Sequence, residues 1–331
     1  MHPPYLSIVL TGRNDTYGGD FLGRFLKALR FNSEELSSRG VHHEWVLVEW
    51  SPKSDVPSLH SVIESELPQA LAESVRSIEV PQAYHDALSQ NPRLDFHEFM
   101  AKNVGIRRAK GDFVLTSNCD IVFGRRVLDA LQGRVLQQGI VYRSARGDLK
   151  MSMASCVITW DILEDPANLQ WPPRTLRPPY FALGSGDFIL LDRGGWEHLK
   201  GFNEVYRASR IGIDRNLLTH ALARGVQIAD LGGLVYHFTH EGSFRLSSRA
   251  YDGREWEAPY GDRRWPAAVV VYDNPSSWGL ADAPERVIDT RRTALDFSWA
   301  AVPPLVALRS LATGSIRPVQ HRNRRPDPAL R

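Results

Sequence analysis

A chain of 331 residues, 43% hydrophobic and 24% charged, has ordinary globular composition and enough apolar material for one large α/β domain or two closely joined halves. A formal net charge of +2 excludes a global field for nucleic acid, and no apolar run approaches the roughly 18–20 residues of a membrane span. Cys119 and Cys156 form neither a disulfide framework nor a CxxC metal pair, and Met1-His2-Pro3-Pro4 has no secretory pattern, so a reducing cytoplasm is expected.

The first half alternates strand-like and helix-like segments, the pattern of a mainly parallel α/β sheet. Leu6 to Leu10 is an apolar run that ends in Thr11-Gly12-Arg13-Asn14-Asp15. Asp20 is placed to cap a helix with Leu22, Phe25, Leu26 and Leu29 on one face. Trp45 to Val48 reads as a buried strand ending in Glu49, and Ile78 to Val80 as a short third one. A helix around Phe99 to Arg108 leads into the strand Phe113 to Thr116, after which Ser117-Asn118-Cys119-Asp120 turns abruptly polar. Open α/β sheets bind ligands beyond the carboxyl ends of their strands. Three polar clusters fall at such ends: Arg13 to Asp15, Glu49, and Asn118 to Asp120. Each alone is also ordinary turn chemistry.

The second half is less regular. Residues 161–180, rich in Pro and Trp, read as a long loop. Phe188 to Leu191 is strand-like after Gly184-Ser185-Gly186-Asp187; Asp214 opens a helix closed by Gly225; Val235-Tyr236 is a short strand running into His237-Phe238-Thr239-His240. The last fifteen residues carry five arginines against one acid and read as a frayed tail.

The order of these motifs resembles that of GT-A glycosyltransferases, particularly family 2-like bacterial enzymes. The segment NVGIRRAKGDFVLTSNCD (Asn103 to Asp120) is similar to their helix–strand–DxD stretch. GDFILLDRGGWEHLKGFNE is similar to the acceptor-side segment, and IGIDRNLLTHALARG to the helix carrying the acidic catalytic motif. VYHFTH is similar to the terminal strand with a metal-binding histidine, and TGRNDTYGGDF and VEWSP to the nucleotide-binding strands. The resemblance spans residues 5–245. It implies a Rossmann-like GT-A domain with a nucleotide-sugar-binding half (1–125), an acceptor-binding and catalytic half (126–245) and a C-terminal extension (246–331).

It further implies transfer of a sugar from a UDP- or GDP-sugar to a carbohydrate, glycolipid or other hydroxyl acceptor, with inversion favoured. Charge built on the departing diphosphate calls for a divalent cation, Mn²⁺ or Mg²⁺, or a basic group. Asp120, His237 and His240 are the expected metal ligands. His237 and His240, three apart, would face opposite ways on one extended strand, so the chain must fold back to bring either in. The DxD pattern here reads Asn118-Cys119-Asp120, one formal negative charge short, which predicts weaker metal binding. Cys119 reads either as a nucleophile or, more simply, as a small buried hydrophobe.

Asp214 is the candidate general base, although an Asp at a helix start is also a routine cap. Asp187 is the competing carboxylate and a candidate for orienting a hydroxyl. Thr11, Arg13, Asp15 and Glu49 are expected to line the base and ribose. Lys102 and Arg108 either reach the diphosphate or are solvated helix charges. Trp171, Tyr180 and Trp196 offer stacking faces for sugars or pack the interior. A sugar-nucleotide nucleotidyltransferase and a non-catalytic nucleotide- or sugar-binding protein are the competing readings; the basic tail adds peripheral membrane contact as a further one.

Overall fold

The computed structural model describes residues 3–173, 176, 185–208, 210, 212–241 and 272–304. Four strands build the first half: β1 (Leu6–Gly12), β2 (His43–Trp50), β3 (Val75–Val80) and β4 (Phe113–Ser117). Between them run α1 (Phe21–Ser38), α2 (Leu59–Glu66), the short α3 (Gln69–Ala72) and α4 (Gln82–Leu88), and α5 (Glu98–Arg108). Asp20 caps α1 as its sequence position predicts, its carboxylate accepting from the Gly23 amide at 2.9 Å.

The chain continues through β5 (Ile121–Phe123), α6 (Arg125–Gln132), β6 (Ile140–Leu149), α7 (Trp160–Glu164), β7 (Phe188–Asp192), α8 (Arg193–Leu199), α9 (Ile213–Ala223) and β8 (Gln227–Phe238). Beyond residue 272 follow β9 (Glu285–Val287) and β10 (Arg292–Leu295). All ten strands form one sheet in the order β5-β8-β6-β7-β4-β1-β2-β3-β10-β9. The block from β4 to β10 is parallel, whereas β7 runs antiparallel to both β4 and β6. The result is a mixed α/β fold compatible with a Rossmann-like architecture.

Side chains alternate between the two faces, so the apolar runs feed two cores. Val9, Val46, Val48 and Val114 face α5, α8 and α9, whose Val104, Trp196 and Leu217 close over them. Ile8, Leu10, Leu47 and Leu115 face α1, α2 and α6 through Phe25, Ile63 and Leu128. A smaller cluster, Val122, Leu149, Tyr236 and Phe238, sits under Leu163 of α7.

Four sequence expectations change. The strand at Val235-Tyr236 is twelve residues long, because Gln227 to Leu234 continue the ladder against β6, itself hidden by its polar composition. Gly212, in a left-handed conformation at φ 71°, caps α9, so Asp214 lies inside the first turn and does not cap the helix. The helix Trp160–Glu164 runs into the start of the span expected as a loop, and Pro166–Asn168 within it forms a 3-10 turn; Tyr180 lies outside the described residues. Residues 285–295, assigned to the extension, add two strands to the edge of the main sheet. The arginine-rich tail lies outside the described residues.

Candidate metal and carboxylate site

The polar residues gather around β5, β8, β6 and β7, the strands that follow β4 on the side of the sheet away from β1. Asp120 follows β4 and immediately precedes β5, and its carbonyl accepts from the Phe238 amide at 3.1 Å. The β5–β8 ladder pairs Ile121 with His237, which sets His237 beside Asp120. Since β8 ends at Phe238, the chain turns and His240 returns to the same carboxylate. The Nε2 atoms of His237 and His240 lie 3.6 and 3.4 Å from Asp120 Oδ2. All three ligand atoms lie within 4.8 Å of one another, and all three residues are buried. The objection that the two histidines must face apart holds only for a continuous strand.

Hydrogen bonds orient both rings. His237 Nδ1 meets Asp148 Oδ1 at 2.9 Å, and His240 Nδ1 meets the Glu241 carbonyl at 2.8 Å. A carbonyl only accepts, so Nδ1 of His240 carries the proton and Nε2 presents a lone pair. This is the outer-shell arrangement that fixes the tautomer of metal-binding histidines. Burial opposes charge on His237, but Asp120 and the Asp148 hydrogen bond outweigh it and hold that imidazole above its usual range. Burial holds His240 below it. One carboxylate and two oriented imidazoles, those of Asp120, His237 and His240, therefore form a group that could hold a metal ion.

A chain of polar groups leads away from this cluster. Arg146 bridges Asp148 at 3.0 Å and Asp187 at 2.8 Å. Asp187 then accepts from the Asn118 amide at 2.9 Å, and Asn118 Oδ1 accepts from Lys102 Nζ at 2.7 Å. Lys102 also donates to Glu98 at 2.7 Å and to the Gly186 carbonyl at 2.9 Å. An ammonium has three protons, and these partners use all of them. Lys102 is fully buried and committed, which corrects both expectations for it: a solvated charge and a phosphate contact.

Asp214 joins the same region through the Gly186 amide, which donates to its Oδ2 at 2.9 Å; the Arg215 amide holds Oδ1 at 2.8 Å. Burial raises its pKa above the ordinary carboxylate range, against the pull of the Arg215 amide and Arg143. The residue keeps partial solvent access.

On the β1–β2 side the picture divides. Thr11 is buried, and its carbonyl accepts from the Cys119 thiol at 3.2 Å. Cys119 packs in the core, and burial raises its thiol pKa far above the usual range, which removes the nucleophile reading. Glu49 is buried with its carboxylate on the Leu59 amide at 2.9 Å, bracing β2 against the start of α2; burial lifts its pKa to about 7. Arg13 is held by Asp15 at 3.0 Å and Asp95 at 3.1 Å.

Arg108 is corrected outright. Its guanidinium binds Glu285 at 2.7 Å and the carbonyls of Gly279 and Leu280 at 2.9 and 3.0 Å, so it staples the chain around residue 280 to α5. Trp196 is a core residue whose indole donates to the Val114 carbonyl at 2.9 Å, whereas Trp171 is 54% exposed.

Four participants escaped the sequence reading. Arg146 and Asp148 lie two apart on β6, a strand whose polar residues disguise its alternation. Arg24 is buried within α1, its terminal nitrogens on the carbonyls of Tyr17 and Gly18 at 2.9 and 3.0 Å and its Nε 3.7 Å from Asp120. Its signal was an arginine between Phe21, Phe25 and Ala28 on the buried stripe. Tyr17, at 48% exposure, sets its ring 5.1 Å from that of His240.

No family model matches the chain, and no curated protein matches its sequence. Among the described residues, no helix is long and apolar enough to cross a membrane.

Proposed function

We propose that the chain is a metal-assisted glycosyltransferase that moves a sugar from a nucleotide-sugar donor to a hydroxyl acceptor. The observation that carries this reading is the Asp120, His237 and His240 cluster, joined by an unbroken polar chain to the carboxylate of Asp187. These residues follow one another in the order that the resemblance to GT-A enzymes implies, at the strand ends where α/β sheets bind nucleotides.

The donor set favours Mn²⁺ over Mg²⁺, since Mg²⁺ takes oxygen ligands almost exclusively and two of three donors here are imidazoles. A cation held there would neutralise charge on the departing diphosphate. Asp214 then serves as base: the acceptor oxygen attacks the anomeric carbon, the carbon–oxygen bond to the diphosphate breaks with its electron pair, and the hydroxyl proton passes to Asp214. The elevated pKa suits a carboxylate that must take a proton. Asp187, held by Asn118 and Arg146, orients a sugar hydroxyl.

Calorimetric titration with UDP and GDP, with Mn²⁺, with Mg²⁺ and with neither, on the wild type and Asp120→Ala, tests the reading. Binding of one nucleotide that requires Mn²⁺ and is lost in the variant is the expected result. Nucleotide binding that ignores both metal and Asp120 would remove the metal from the proposal. A folded protein that binds neither nucleotide would overturn the transferase reading.

A further inference from the structure

The asparagine that stands where the resemblance calls for a first aspartate has a role of its own. Its amide lies between one group that only donates, the Lys102 ammonium at 2.7 Å, and one that only accepts, the Asp187 carboxylate at 2.9 Å. That pairing fixes which end of the amide is oxygen and which is nitrogen. An aspartate at this position would put two carboxylates at hydrogen-bond distance from one another, and one of them would have to hold a proton. Lys102 cannot relieve the clash by moving, because its other two protons are bound to Glu98 and the Gly186 carbonyl in a fully buried position. Arg146 already neutralises the far oxygen of Asp187.

We propose that Asn118 is a bridging amide that positions Asp187 against Lys102, and that it is not a lapsed metal ligand. The metal shell is Asp120, His237 and His240 alone. The missing charge in Asn118-Cys119-Asp120 is then the condition for a donor to face Asp187 at this point beside the cluster. Asn118 acts through Asp187, so it is a positioning residue. The metal arm of its test rests on the proposed metal site, whereas its stability arm does not.

Two variants decide the matter, N118D alone and the swap N118D/D187N, which exchanges carboxylate and amide and restores a donor facing an acceptor at every step. The single variant is expected to melt at least about 4 °C below the wild type, and the swap to recover most of that loss. In Mn²⁺ titrations followed by electron paramagnetic resonance, N118D is expected to bind no more tightly than the wild type. Tightening of about tenfold or more in N118D, as an added anionic ligand would give, would overturn the proposal. So would a single variant as stable as the wild type, or a swap no better than the single. Should N118D fail to fold, a swap that folds supports the bridge, and a swap that fails where D187N alone folds sinks it. A wild type that binds no Mn²⁺ counts against the metal centre, and the bridge is then decided by the melting temperatures.

Discussion

His237 and Asp148 are direct register partners on adjacent parallel strands, and the 2.9 Å contact between them turns Nε2 of the histidine toward Asp120. The sheet ladder itself therefore aims a candidate metal ligand. Asp148 lies outside the group of Asp120, His237 and His240, but its hydrogen bond fixes the ring and would strengthen the imidazole as a donor to a metal held there. Asp148→Asn is expected to weaken Mn²⁺ binding by about 10- to 100-fold while leaving the fold intact, in line with other outer-shell partners. Calorimetric Mn²⁺ titration of the variant checks this, and unchanged affinity would remove Asp148 from the site.

Gly18 packs against the other histidine. It adopts φ +63°, and a Cβ there would stand 2.4 Å from His240 Nδ1, the atom that engages the Glu241 carbonyl. Gly18→Ala is expected to displace the ring and to cost more than backbone strain alone. The comparison is Gly19→Ala, whose φ of +91° is also unfavourable but whose Cβ would meet nothing within 4 Å. Both variants lose some stability; only Gly18→Ala loses metal affinity. Equal metal affinities in the two would show that the loop does not set His240.

Asp214→Asn removes the proposed proton acceptor in a nearly isosteric side chain, whose single carbonyl oxygen can keep only one of the two contacts from the Gly186 and Arg215 amides. Turnover is expected to fall by about 10²- to 10⁴-fold with little change in donor KM. In the wild type the raised pKa places the acidic limb of kcat above the range of an ordinary carboxylate, with activity growing as pH rises through it. An Asn variant that turns over normally would move the base elsewhere, with Asp187 the next carboxylate to test.

Glu49 gives a pH prediction that needs no activity. Burial lifts its pKa from an ordinary 4.5 to about 7, so the folded state binds this proton more tightly than the unfolded chain. The stability linked to that proton is fully present below about pH 4.5 and is lost as pH rises to about 7, up to roughly 3 kcal/mol. Glu49→Gln carries no such term. Its stability relative to the wild type should therefore increase between pH 5 and pH 8 in urea denaturation. A difference that stays constant over that interval would mean that Glu49 is ionised throughout.

The strands of the first half were legible because they are buried on both faces and read as continuous apolar runs, with Leu6 to Leu10 and Phe113 to Thr116 the clearest. Asp120, His237 and His240 were legible as a set only through the order of motifs. What brings them together is the antiparallel β5–β8 pairing, a long-range contact without local signature. β6 was missed for the same reason that it matters: Arg143, Arg146 and Asp148 are polar residues that point into the site region or the interior, so the strand lacks an apolar face to read. Lys102 and Arg108 sit six apart on one helix and looked equivalent. Only tertiary structure separates the first, locked beneath Asn118, from the second, bound to the chain after residue 272.

Arg108 is where the structural and the sequence readings diverge most, and one variant distinguishes them. As a phosphate contact it would govern donor binding; as a staple it holds the segment leading into β9 and β10 against α5. Its guanidinium donates to one carboxylate and to two carbonyls of that segment, and burial has already made its charge costly. Arg108→Met keeps much of the aliphatic stem and deletes those bonds. Hydrogen bonds to a charged group contribute about 1.5–3 kcal/mol each at most, and part of that is recovered when the orphaned carbonyls take up water. The expected result is lower stability, with faster amide exchange concentrated in residues 279–295, and unchanged nucleotide affinity in the protein that remains folded. Lysine should not rescue it, because one ammonium cannot span three acceptors laid out for a planar fork. Loss of nucleotide binding without faster exchange in that segment would return Arg108 to the donor site.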